Sequence, residues 1–221
     1  MIASTLPRTD AAVLRDAQNE PDWDPAIHSN DIGVAIDNGI LTLSGVVNSY
    51  SQKVMADHAV RTIHGVRAIA NDITVQVKGT LTDKDIAESV AKMIESNIML
   101  ADEDIDITIE NGIVTLSGQV SWEYQRRSAE RSVEHLKGVI TVVNRVQIVS
   151  PTAIEHDVRE QIRQALMRNA MVDAGRVQID FDHGHVRLHG TVDSLHEKYE
   201  AARAAWRAKG VTRLQNDILV R

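Results

Sequence analysis

The chain has 221 residues, 43% of them hydrophobic and 25% charged, with a formal net charge of −7 and no cysteine. That composition suits a globular chain with a core of its own. The negative balance excludes a general nucleic-acid binder, which needs a positive field to displace counterions from phosphates, and the missing cysteines exclude disulfides and thiolate metal sites.

In chain order, a first helix is expected from Asp10 to Asn19. The stretch Glu20 to Ala26 carries Pro21 and Pro25, which cannot continue a helix and imply a longer ordered loop. Asn38-Gly39 suits the left-handed conformations of a tight hairpin turn, and the return strand buries Leu41 and Leu43. A second helix with Ala56, Val60 and Ile63 inward ends at Gly65, and a last strand turns Ile73 and Val75 inward. The next stretch repeats the order. Thr82 reads as an N-cap with Asp83 and Asp85 in the first turn, and Ile86, Val90, Met93 and Ile94 recur at helical spacing up to Ser96. Ile105, Ile107 and Ile109 alternate with Asp106, Thr108 and Glu110, the pattern of a strand with one face buried. Asn111-Gly112, then Val114 and Leu116, then Ala129, Val133 and Leu136, then Gly138, then Val146 and Ile148 complete the unit. The last stretch does so again. A helix runs from Ile154 to Arg168 with Val158, Ile162 and Leu166, and strands carry Val177, Ile179 and Phe181, Val186 and Leu188, and Ile218 and Val220.

Three anchors hold this repeat in register. Gly39, Gly112 and Gly184 lie 73 and then 72 residues apart. Gly65, Gly138 and Gly210 each follow Gly45, Gly118 and Gly190 by 20 residues, and Asn71, Asn144 and Asn216 follow 6 residues later. The expected fold is α+β: three tandem αββαβ domains, over residues 1–77, 78–149 and 150–221, each with two helices packed on one face of a three-stranded mixed sheet. Their formal charges are −4, −4 and +1. The short links at 78–81 and 150–153 favour a compact body. A pseudo-threefold ring and a linear array both satisfy them, and exposed sheet edges leave room for an oligomer. Gly45, Gly118 and Gly190 are expected at strand ends, where a side chain would strike a nearby helix or force a bulge.

The motif Asn111 to Val120, with Gly138-Val139 and Asn144, resembles the BON domain, named for bacterial osmotic-stress and nodulation proteins. The first copy is similar, while the third departs from it with His183, His185, Arg187 and His189. The resemblance implies the fold above and a binding module instead of a catalyst. It also implies an association with anionic phospholipid, with osmotic stress and, in a cytoplasmic relative, with potassium.

His183, His185 and His189 would share the outward face of one strand, yet imidazoles at i and i+4 stand about 13 Å apart, too far for one metal ion. An exposed polar face satisfies the same pattern. Asp102 and Asp104 belong to an acidic run that offers oxygen ligands to a hard cation without the glycine and spacing of a calcium loop. Arg126, Arg127, Arg131, Arg203 and Arg207 line a basic face of the second helices, with Trp122, Tyr124, Tyr199 and Trp206 nearby, which suits anionic headgroups. Interleaved glutamates fit a salt-bridged solvent face equally well. No nucleophile elbow, phosphate loop or His-Glu-x-x-His motif is present, so no enzyme and no cofactor is expected. No apolar run approaches the roughly 18 residues that span a bilayer, and Arg8, Asp10, Arg15 and Asp16 break the N-terminus too early for a signal peptide, which favours the cytoplasm. The leading expectation is a stress-associated scaffold that recognises a phospholipid surface or a protein partner. The alternative is a potassium sensor that compacts on binding its ion.

Overall fold

A computed structural model describes residues 9–19, 32–77, 79, 81–100, 103–149, 155–169 and 173–221. The Glu20–Ala26 segment, Asp102 and Ile154 lie outside them.

The first domain comprises helix α1 (Asp10–Gln18), strands β1 (Ile32–Asp37) and β2 (Ile40–Val47), helix α2 (Tyr50–Arg61) and strand β3 (Ala68–Val75). The second has α3 (Asp83–Glu95), β4 (Asp104–Glu110), β5 (Ile113–Val120), α4 (Glu123–Glu134), β6 (Thr141–Asn144) and β7 (Gln147–Ile148). The third has α5 (Glu155–Arg168), β8 (Val177–Asp182), β9 (His185–Val192), α6 (Leu195–Trp206) and β10 (Arg213–Val220). In every domain the central strand pairs antiparallel with the strand before it and parallel with the strand after the crossover helix. The chain is therefore α+β, in three tandem αββαβ units with mixed sheets. The second sheet differs in one respect. Its last strand breaks at Arg145-Val146, so that Val146 is buried but lies outside a strand.

The local chemistry follows the repeat. Thr82 and Asp85 form a reciprocal cap: the Asp85 N–H donates to Thr82 Oγ1 at 3.3 Å and the Thr82 N–H to Asp85 Oδ2 at 2.8 Å. The Thr82 hydroxyl, which donates to Asp85 Oδ2 at 2.7 Å, and then the Thr82 N–H hold the Asp85 carboxyl below its ordinary range. The hairpin turns are tied to the first helices. The N–H groups of Asn111 and Gly112 donate to the two oxygens of Asp83 at 2.8 and 2.9 Å, and Asp10 serves Asn38 and Gly39 in the same way. His183 takes the turn position in the third copy, with φ of 45°, matching Asn38 and Asn111 at 50°.

The repeated asparagine is a bracket. In the second domain Asn144 Nδ2 donates to the Arg126 carbonyl of α4 at 2.9 Å, while its Oδ1 accepts from the Val146 N–H at 3.2 Å. Asn216 does the same with Lys198 and Ile218, and Asn71 with Lys53 and Ile73. Each bracket ties the crossover helix to the last strand it feeds.

The strand glycines correct an expectation. All three lie within the central strand, and the obstacle at Gly118 and Gly190 is backbone: the first residue of the paired strand at Gly118, and the 3-10 turn Ala174–Arg176 that leads into the paired strand at Gly190. A Cβ on Gly118 would stand 2.2 Å from the Asp104 carbonyl oxygen, and one on Gly190 would stand 2.0 Å from that of Arg176. Three separate cores result, centred on Leu41 and Leu43, on Val114 and Leu116, and on Val186 and Leu188.

Candidate functional site

Each domain touches the other two, which decides between ring and line in favour of a closed arrangement. The crossover helices make the seams. Tyr50, first residue of α2, packs on the second domain's core and bonds the backbone of Val142. Leu195, first residue of α6, is buried in the first domain's core. Trp206, at the other end of α6, packs on the second core. Two cation–π contacts cross the seams: the Arg61 guanidinium lies 4.0 Å from the Tyr199 ring centre, and that of Arg126 lies 5.4 Å from Trp206.

Between α4 and α6 runs a groove of about 1170 Å³. Arg127 and Arg131 line it from one side, Arg203 and Arg207 from the other, with Trp122, Tyr124, Trp206 and Met99 supplying apolar surface. Trp122 and Tyr124 stack with ring centres 6.5 Å apart. Beside Met99, Ile98 is 89% exposed. The single carboxylate of the groove is Glu123, which is buried and takes Arg126 Nε at 2.6 Å and Arg127 Nε at 3.4 Å. Arg126 thus serves the seam, and its four fellow candidates converge on the groove. Asn97 Nδ2 reaches Ser128 Oγ and Ser132 Oγ, both at 2.8 Å, and fixes the Ile98-Met99 loop to α4.

On the other side of Arg127, Arg131 and Arg203 lies a polar cleft of about 560 Å³ lined by α2, α4 and α6. Burial and the neighbouring Glu130 raise the Glu134 carboxyl above its ordinary range. A group whose folded pKa is raised favours the fold while protonated and loses that contribution as pH rises through the folded value. Glu134→Gln is therefore expected to raise the melting temperature at pH 7 to 8, with the gain vanishing as pH falls through the carboxylate range. Calorimetry across that range checks it, and a gain independent of pH would refute the assignment. Burial also raises the Tyr50 phenol, reinforced by Glu130 and Glu134. His58 is lowered by burial and by Arg61.

The histidines fall elsewhere. His183 sits on the turn, not on the strand face, because its φ is positive; its imidazole contacts Asp182. His189 Nε2 and Gln178 Oε1 are 2.7 Å apart, across the hairpin, and His185 is exposed. Asp104 is exposed at the start of β4. Among the described residues no three His, Asp or Glu side chains converge as metal ligands. Among the same residues no helix is long and apolar enough to cross a membrane. The seam residues Tyr50, Leu195 and His58 carried no local signal. Superimposing the three copies in register would have singled them out, since Tyr50, Glu123 and Leu195 fill one position with unlike chemistry.

Comparison with known proteins agrees with this architecture. The BON domain profile matches residues 9–77, 82–150 and 155–221. Osmotically-inducible protein Y of Escherichia coli (strain K12) is 27% identical over 153 residues, 66% of this chain and 70% of the relative. Two structures of CdsD, a structural protein of the type III secretion system of Chlamydia trachomatis, also align. Its C-terminal domain does so at 16% identity and a TM-score of 0.27, over 97% of this chain and 100% of that one. The other shows 14% identity and the same TM-score, over 95% and 92%. With the family profile matched three times over nearly its whole length, the chain belongs to the BON domain family.

Proposed function

We propose that this is a non-enzymatic, stress-associated binding protein that recognises an anionic phospholipid surface through the groove between α4 and α6. The observation that carries the reading is the meeting of four arginines with three aromatic side chains around a single, already paired carboxylate. Guanidinium groups bind phosphate oxygens in bidentate fashion. Trp and Tyr rings suit the depth of the headgroups, and an exposed Ile98-Met99 tip is apolar enough to enter the acyl boundary. The similarity to an osmotically inducible protein supports the stress setting.

Co-sedimentation of the intact chain with phosphatidylglycerol vesicles, against neutral phosphatidylcholine vesicles, tests it. Binding is expected with the anionic vesicles alone. Arg207→Glu combined with Tyr124→Ala is expected to weaken it at least about tenfold, since one basic residue near an anionic surface contributes about 1 kcal/mol. Equal retention by both lipids, or no loss in the double variant, would sink the proposal. Capture of a protein partner by the same groove, without vesicle binding, would do so as well.

A further inference from the structure

The polar cleft behind the arginine wall plays no part in the membrane reading. Its lining follows the repeat. His58, Arg131 and Arg203 hold the same position of the crossover helix in the three copies, and all three border the cleft. Arg131 makes no hydrogen bond or ion pair among the described residues. Arg203 uses Nη1 on Glu200, at 2.8 Å, and keeps its other donors.

Two carboxylates of the cleft are matched, and the other two, Glu130 and Glu134, gather toward Tyr50, with Glu134 also within reach of Arg131. Asp57 pairs with Arg61, and Glu200 takes Arg203 and the Asn169 amide. Glu130 and Glu134 act on Tyr50, whereas the charges acting on His58 are Arg61, Asp57, Arg131 and Arg127. Tyr50 and His58 are eight residues apart on α2, a span of about 12 Å. The cleft is therefore graded, acidic at the Tyr50 end and cationic at the His58 end. From α6, His196 and Tyr199 also face it.

We propose that the His58 end of the cleft binds a doubly charged tetrahedral oxyanion of the phosphate class, held by Arg131, Arg203 and the His58 imidazole, and that this anion clamps the three domains together. Each guanidinium presents paired N–H donors to two oxygens. Burial and then Arg61 disfavour a proton on His58, with Arg131 and Arg127 adding to them against Asp57. A bound dianion reverses that field, so binding carries proton uptake by the ring. The site does not depend on membrane docking, because His58 borders the cleft and not the groove, while Trp122 borders the groove and not the cleft.

The test uses the intact chain and measures melting temperature in sulfate, inorganic phosphate and glycerol phosphate against chloride at matched ionic strength. The His58 ring is followed by NMR in parallel. Sulfate keeps both charges between pH 8 and 6, so its tighter binding at the lower pH reports the protein's own proton uptake. All three dianions are expected to raise the melting temperature and to shift the His58 ring signals. His58→Gln and Arg131→Gln should each weaken sulfate at least about tenfold, the worth of one charge-assisted hydrogen bond. Trp122→Ala should leave sulfate binding unchanged while abolishing vesicle binding. A parallel arm with phosphatidylglycerol vesicles names the source: His58 shifts produced by vesicles but by no free anion assign the site to a lipid headgroup. Equal melting in sulfate and chloride with an unmoved His58 overturns the proposal. So does a sulfate effect that survives both substitutions.

Discussion

Gly118→Ala is expected to cost the second domain about 3 kcal/mol or more, through backbone strain and a clash that nothing nearby can relieve. The new Cβ would meet the carbonyl oxygen of Asp104 at 2.2 Å, on the strand to which Gly118 is hydrogen-bonded. A flexible side chain could swing aside, but a carbonyl within the ladder moves only with its strand. The residue also has φ of 118°, a region that L side chains rarely adopt. Gly79→Ala is the control, since Gly79 has φ of 125° with nothing within 4 Å of the added carbon. It should show the strain alone, about 1 kcal/mol. Urea unfolding with amide exchange resolved by domain separates the cases. A loss at Gly118 no greater than at Gly79 would show that the pairing of β4 and β5 yields more easily than its geometry implies.

Asn144→Ala is the second large effect, at about 2–4 kcal/mol. The amide satisfies the Arg126 carbonyl at 2.9 Å and the Val146 N–H at 3.2 Å, both partly buried. Removing it leaves the Val146 N–H without a partner, at about 1–3 kcal/mol, and takes from the Arg126 carbonyl a second bond worth about 1 kcal/mol beside its helical one. The break at Arg145-Val146 magnifies the loss, because β6 ends at Asn144 and the ladder does not resume until Gln147. Asn71→Ala should cost less. Its bond to Lys53 is long, 3.5 Å, and β3 runs unbroken to Val75. Chemical denaturation of the two variants gives the ranking, and equal losses would mean that the bracket does not depend on the strand break.

The repeat was legible because the features that build each module are local. The Asn-Gly turns, the alternating Ile105, Ile107 and Ile109, and the capping Thr82 all act within a few residues of themselves. The glycines at 45, 118 and 190 were legible as structural, but not their reason. The Asp104 carbonyl comes opposite Gly118 only through the hairpin register. The arginines were visible as a basic face, since Arg127, Arg131, Arg203 and Arg207 fall at helical spacing. Their convergence was not, because it depends on how two helices of different domains approach. Alternation misleads at His183, because the return strand starts at His185 and the two residues before it form the turn. The metal-site candidate Asp102 lies outside the described residues.

The unlike occupants of the first position of the crossover helices bear on how such a chain assembles faithfully. Three modules of one family, tethered by short links, are prone to pairing with the wrong neighbour or with a sister molecule during synthesis. Identical seams would make those errors degenerate with the correct product. Here Tyr50 fits an apolar core and a backbone N–H donor, Leu195 requires an apolar socket, and Glu123 is committed to Arg126 and Arg127 of its own helix, with Arg126 reaching Trp206 across the seam. An exchange of partners would bring a carboxylate to a greasy socket, and so would be penalised. Difference at a single helical turn gives three alike modules a fixed order around the ring, with one address for each.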